Sequence, residues 1–382
     1  MTKRIKYLDG LRFFAIFSIV LLHVNSFFRN KYIQYSSIKF LILTFFDGFT
    51  RMGVPIFFML TGVLMFNKRE KNNKYLEFIK KRVLRLVYAY FFFSLIYYTY
   101  LVIKQNEILS IYHMIEKITS SQTAYHLWFL PTIILIYMFI PFLKKLVKTL
   151  SKKELFILIL LIIIFGNLFK VLNDISNILN HGVLGNFMIP DLIIYTNYLF
   201  IGYYLHKYNV KINKKMIIGT ILSLIIIPFL TLLISKNSII NDMFLNSTSP
   251  FVILPSILTY LIFKNYYDKF KIPESIDKFM SKNIGNIFYV YLWHVLTLLF
   301  IESKIDKLAN NSNFFLDMIL ILIMFIFTII SSYILTIIWN EIKEYLLKLK
   351  LKLKNKLNDK YKLKRKCSFN FYRNKDIKRK NN

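Results

Sequence analysis

Apolar runs of about twenty residues recur along the whole chain, and most are separated by stretches rich in Lys and Arg. About ten such runs can be placed, at roughly 9–28, 41–66, 86–103, 126–147, 154–170, 191–206, 215–234, 250–265, 286–301 and 314–339. Each is near the length a helix needs to cross the hydrocarbon core of a bilayer. The pattern predicts an all-α, polytopic integral membrane protein. The sixth and eighth runs are among the shortest, which fits tilted or partly re-entrant segments.

The basic residues alternate along the loops. NKREKNNKYLEFIKKRVLRL (67–86), KKLVKTLSKK, HKYNVKINKK and KNYYDKFKIPESIDKFMSK are rich in Lys and Arg, whereas connections such as SKNSIINDMFLNSTS, with Lys236, carry few. Basic loops stay in the cytoplasm, so both termini are expected there, which an even number of spans satisfies. Residues 1–340 are read as a membrane domain and 341–382 as a basic cytoplasmic tail. The tail is too charged to build a core of its own. Its EIKEYLLKLKLKLKNKL stretch alternates nearer to period two than to 3.6, which leaves its helicity open.

Composition narrows the classes further. With 56% hydrophobic and 19% charged residues over 382 positions, the chain is not an ordinary soluble enzyme. The net charge of +32 does not indicate nucleic acid: nearly a third of the 52 basic residues sit after Trp339 and most others in loops. A basic juxtamembrane tail attracts anionic lipid headgroups. The single cysteine, Cys367, permits no disulfide within the chain and no cysteine-based metal site, and no metal is expected. The N-terminus starts like a positive leader, but no small-residue cleavage site follows, so an uncleaved first helix is expected.

Several apolar runs carry polar groups that need a reason. DGLRFFAIFSIVLLHVN, Asp9 to Asn25, holds Arg12 and His23 eleven residues apart. That is about three helical turns, so both lie on one face, roughly 16 Å apart along the axis. Ionisable groups among lipid tails cost on the order of a few kcal/mol and usually face a cavity, a partner or a substrate. Asp9 shares the stripe, one turn before Arg12, where it can orient the guanidinium. A neutral imidazole, with an ordinary pKa of about 6.5, can take a proton from a hydroxyl. A histidine simply hydrogen-bonded inside the bundle is the ordinary alternative for His23.

Four further segments add candidates. In MGVPIFFMLTGVLMF, Gly53, Pro55 and Gly62 read first as helix packing through small residues, with Thr61 offering a hydroxyl. In KKRVLRLVYAYFF, Arg82 and Arg85 lie on one face; they serve topology, a phosphate clamp, or both. In AYHLWFLPTIILIYMFIPF, Trp128 reads as an interfacial belt residue and His126 as a solvated or belt histidine near the outer mouth. In IGNIFYVYLWHVL, His294 sits about midway along a span; a structural pair with Glu302, eight residues on, stands beside a role in the site.

Taken in order, these segments resemble membrane-bound acyltransferase family 3, the O-acyltransferases that decorate bacterial surface polysaccharides. YLDGLRFFAIFSIVLLHV looks like the family's first-helix signature, an Arg and, ten residues between, a His: here Arg12 and His23. GVPIFFMLTGVLMF looks like the motif in which a Pro and paired Phe precede Ser-Gly, here Thr61-Gly62. KKRVLRLVYAY resembles the basic cytoplasmic motif but lacks the usual proline, with Tyr88 and Ala89 in its place. HLWFL and FYVYLWHVL complete the set.

The resemblance implies a cytosolic acyl-coenzyme A donor, most often acetyl and in some stand-alone members succinyl, and a hydroxyl acceptor on a surface polysaccharide or lipid-linked glycan. It implies that Arg12, Arg82 and Arg85 meet the donor phosphates and that Asp9 orients Arg12. His23 would act as a base or brief acyl carrier, and the choice stays open. Thr61, His126, Trp128 and His294 are weaker site candidates. The implied setting is a bacterial plasma membrane, with membrane lipids, the glycan acceptor and glycan biosynthesis proteins as partners. No hydrolase-like domain is expected after the last span. The competing reading is a polysaccharide or lipid-linked sugar transporter or flippase, which the lack of an inverted repeat disfavours.

Overall fold

In the computed structural model, which describes residues 4–32, 38–67, 75–105, 107–178, 189–235 and 240–380, local signals decide where the apolar runs start and stop. The basic residues at 68–74 and Lys236 lie outside the described residues. Helix α1 (Lys6–Tyr32) carries Asp9 in its first turn and Arg29 and Lys31 in its last, which suits the helix dipole at both ends. The run expected at 41–66 is two helices, α2 (Ile38–Thr50) and α3 (Gly53–Phe66). Pro55 causes the break: it has no N–H for the Arg51 carbonyl four residues back, and its ring crowds that carbonyl. The ladder holds on either side, with Arg51 N–H donating to Asp47 O and Ile56 N–H to Met52 O, both at 3.0 Å.

The chain continues through α4 (Tyr75–Lys104), which contains a π-helical turn at Ile79–Val83, and the short α5 (Ile111–Thr119). Next come α6 (Phe129–Thr149) and α7 (Lys152–Ile178). A reciprocal Ser151–Glu154 capping box opens α7. Then follow α8 (Asp191–Lys207), α9 (Lys214–Ile234), α10 (Pro250–Tyr266), α11 (Glu274–Asn283), α12 (Ile287–Asn311) and α13 (Phe314–Lys380). Among the described residues there is no strand.

Among the described residues, eight segments are long and apolar enough to cross a membrane, with α2 and α3 counted as one. The sixth and eighth expected runs are α8 and α10, each of 17 residues. Ser249 caps α10, and Pro250 occupies its first turn, where a missing N–H costs nothing.

Glycine sets the closest helix contacts. A methyl group at Gly62 would lie 2.1 Å from the Leu199 carbonyl oxygen, and one at Gly202 2.2 Å from that of Met59. The backbones of α3 and α8 therefore touch, as small residues allow between helices in lipid. Gly53 plays the same part against α1, where a methyl would lie 2.7 Å from the Ala15 oxygen. So α3 is wedged between α1 and α8, and the apolar core gathers around these helices with α6, α7 and α10.

Contacts divide the chain into two compact units, Met1–Ser332 and Tyr333–Asn382. The stretch whose leucines alternate with lysines is helical. Leu, Lys and Glu are strong helix formers, and here propensity prevails over a period-two pattern.

Candidate functional site

Three histidines far apart in the chain meet at one place. The His23 ring, on α1, stacks on His294, on α12, with centroids 5.4 Å apart and planes at 24°. His126, in the turn before α6, sets its ring edge to face with His294 at 4.9 Å. Tyr125 lies 4.9 Å from the His23 ring on another side.

Tyrosines hold this cluster. The Tyr97 hydroxyl, on α4, donates to Leu292 O at 2.9 Å and accepts from Leu296 N–H at 3.0 Å. Those two groups are ladder partners in α12, so the hydroxyl bridges the helix backbone beside His294. The Tyr291 hydroxyl donates to the His126 carbonyl. His294 Nδ1 donates to Tyr291 O, which leaves Nε2 as its proton-free nitrogen, buried and without a hydrogen bond. Both nitrogens of His126 are buried, with the Leu292 backbone near enough to act on the ring as a hydrogen-bond partner. Burial, followed by the neighbouring His294 and His23 imidazoles, pushes His126 well below the ordinary histidine pKa.

A cavity of about 90 Å³ opens beside the cluster, lined among others by His23, Arg51, His126, Trp128, Ser247 and Tyr291. Its Ser247 wall is tied down: Tyr198 donates to Ser247 O and Asn167 to Thr248 O, both at 2.6 Å. His294 is wholly buried, whereas His23 keeps part of its surface open and lines the cavity. His23 is thus the imidazole of the stacked pair that a ligand can reach.

The other end of α1 holds a cationic group. Asp9 accepts from Arg4 Nε at 2.6 Å and, more loosely, from Arg12 at 3.4 Å, while Arg4 also binds Asp277 at 3.0 Å. Arg12 and Arg82 both act electrostatically on Tyr137, whose hydroxyl is hydrogen-bonded to Thr61. Arg82 lies against the Met65 sulfur at 3.2 Å and over the Phe78 ring at 5.8 Å. A π turn takes more residues than an α turn, and the one at Ile79–Val83 accompanies an inward Arg82 and an exposed Arg85.

The candidates therefore fall into two groups, His23, His126, Trp128 and His294 at one end, Asp9, Arg12, Thr61 and Arg82 toward the other. Arg85 joins neither. Two expectations are corrected. His126 is 2% exposed rather than solvated, because the turn before α6 folds inward under Tyr291. His294 does not pair with Glu302: its bonds run to its own helix and its ring to His23. Trp128 packs on Tyr195 and lines the cavity, so it is more than a belt residue. Sequence reasoning passed over Tyr97, Tyr291 and Arg51. Arg51 had a signal, being charged inside an apolar run four residues after Asp47. Among the described residues, no group of His, Cys, Asp and Glu is arranged to hold a metal ion.

Apolar helices around a buried ionisable cluster define a multi-pass membrane protein with a chemically equipped interior. Residues 5–337 match the profile of a family described as an acyltransferase domain, and the chain belongs to acyltransferase family 3. The chain is also similar to an amino-acid racemase of Enterococcus faecalis, 25% identical over 364 residues. That alignment covers 90% of this chain and 47% of the relative, so the chain spans about half of that protein's length. No solved structure matches the chain significantly.

Proposed function

We propose that the protein moves an acyl group, acetyl in the first place, from acyl-coenzyme A on the cytosolic side of a bacterial plasma membrane to a hydroxyl of a surface polysaccharide or lipid-linked glycan. The observation that carries this reading is the course of α1: one unbroken helix with Arg12 beside the cationic group and His23 on the cavity. Phosphates suit the cationic end, since guanidinium groups bind their oxygens strongly. The pantetheine arm of the donor is long enough to reach inward toward His23. His23 then either takes the proton of the acceptor hydroxyl or carries the acyl group in passing. Arg12 and Arg82 hold the donor, Asp9 with Arg4 steadies Arg12, and His126, His294 and Trp128 shape the acceptor end.

Deleting the gene and analysing the surface glycans by NMR tests this. The expected result is an intact glycan that has lost its O-acyl signals. A glycan missing from the surface altogether would favour a transporter, and unchanged acylation would overturn the proposal.

A further inference from the structure

A charge network crosses the histidine end of the bundle. Arg29, on α1, binds Asp47, on α2, and reaches Asp242 at 2.9 Å. Arg51 touches the same two carboxylates, 3.4 Å from Asp47 and 3.2 Å from Asp242. The Arg29 and Asp47 side chains are 3% and 0% exposed, and a buried pair persists only when charges and hydrogen bonds compensate. Two guanidinium groups against two carboxylates provide that balance.

Arg51 differs from Arg29 in where it looks. It stands at the break that Pro55 makes between α2 and α3, and it lines the cavity together with His23. Its charge is close enough to act on the His23 imidazole. Both of its carboxylate contacts use one nitrogen, Nη2, while Nε is buried without a hydrogen-bond partner. An arginine fixed by two anions, with a donor left over beside a histidine, lacks an acceptor that the fold does not supply.

Acyl transfer supplies one. When the acceptor oxygen adds to the thioester carbonyl, negative charge gathers on the carbonyl oxygen, and a fixed donor in a water-poor site stabilises it most. Other hydroxyls of the cavity wall are engaged: Tyr291 donates to the His126 carbonyl and Thr50 to the Asp47 carbonyl. Trp128 and Ser247 are neutral. We propose that Arg51 is a catalytic residue of the acyl transfer, its spare N–H groups receiving the oxyanion while Asp47 and Asp242 hold the guanidinium toward the cavity.

The step balances without further reactants. The acceptor hydroxyl gives its proton to His23 as its oxygen bonds to the carbonyl carbon. The oxyanion collapses, the carbon–sulfur bond breaks, and the coenzyme A thiolate recovers the proton from His23. With His23 as acyl carrier, two such oxyanions form in turn at the same position. The proposal rests on the acyltransferase reading given above.

The test compares wild type, Arg51→Gln and the charge-balanced Arg51→Gln/Asp242→Asn, as full chains in lipid nanodiscs. Coenzyme A release from acetyl- and succinyl-coenzyme A, donor affinity by calorimetry and melting temperature are followed. Both variants should lose about 10²–10³-fold in kcat, with donor affinity within about threefold of wild type. Arg51→Lys should regain part of the loss. The double variant keeps one cation against one anion, so it carries the test if the single variant does not fold. A variant within about twofold of an active wild type overturns the Arg51 assignment alone. A wild type that releases coenzyme A from neither donor overturns the acyltransferase reading, and Arg51 with it.

Discussion

His23 and His294 lie ring on ring, 5.4 Å between centroids, yet only His23 opens to the cavity. Two stacked imidazoles resist being charged together, since like charges at that distance disfavour each other. One proton at a time is therefore handled here, and the reachable ring should do it. His294→Phe keeps the stack and removes the nitrogens. It should cost about tenfold in turnover at most, against about 10²–10⁴-fold for His23→Ala. Steady-state rates at equal membrane abundance check this, and the reverse ranking would make His294 the working base.

Tyr97 offers a sharper test of how the pair is held. Its hydroxyl bridges Leu292 O and Leu296 N–H, two ladder groups of α12. In Tyr97→Phe that bridge is lost, and the backbone beside His294 is free to shift its ring on His23. The stability loss should be about 1–3 kcal/mol, and kcat should fall by more than the folded fraction does. A variant with lower melting temperature but full specific activity would show that the bridging hydroxyl supports folding only.

The cationic end gives an ordered prediction. Arg82 points inward beside Tyr137 and Arg85 is exposed. Exposed charges act weakly through solvent, so Arg82→Ala should raise KM for the acyl donor by about tenfold or more, and Arg85→Ala by about threefold or less. Donor titrations of both variants decide the order.

His126 predicts a pH dependence of stability. It is faced by His294 and Tyr291 of α12, His23 of α1, Tyr97 of α4 and its neighbour Tyr125. Burial and the imidazoles hold its pKa below the ordinary value, which is about 6.5 and applies to the unfolded chain. The unfolded state thus takes up a proton first as the pH falls. The stability contribution is complete above about pH 6.5 and is lost below it. Melting in detergent should drop from about pH 7 to about pH 5, and less steeply in His126→Phe. Parallel slopes would remove His126 as the cause.

Much of this was legible in the chain, for physical reasons. Apolar run length reveals spans because lipid demands it, and the spacing from Arg12 to His23 reveals a shared face because α1 is unbroken. Gly62 was readable as a packing residue, and it meets the Leu199 backbone. What could not be read is long-range: that His126 folds inward, that Tyr97 bonds the backbone of α12, and that Arg51 shares Asp242 with Arg29. Those contacts join residues whose local pattern names no partner. The inward turn of Arg82 depends on a π turn, which a 3.6-residue period does not foretell.

The most direct measurement takes purified wild type, Arg12→Ala and His23→Ala in nanodiscs and follows both thermal stabilisation by acetyl-coenzyme A and release of coenzyme A. Wild type should bind and turn over, Arg12→Ala should lose binding, and His23→Ala should keep binding and lose turnover. Undiminished turnover by His23→Ala, or undiminished donor binding by Arg12→Ala, would contradict the account of one helix serving both ends of the reaction.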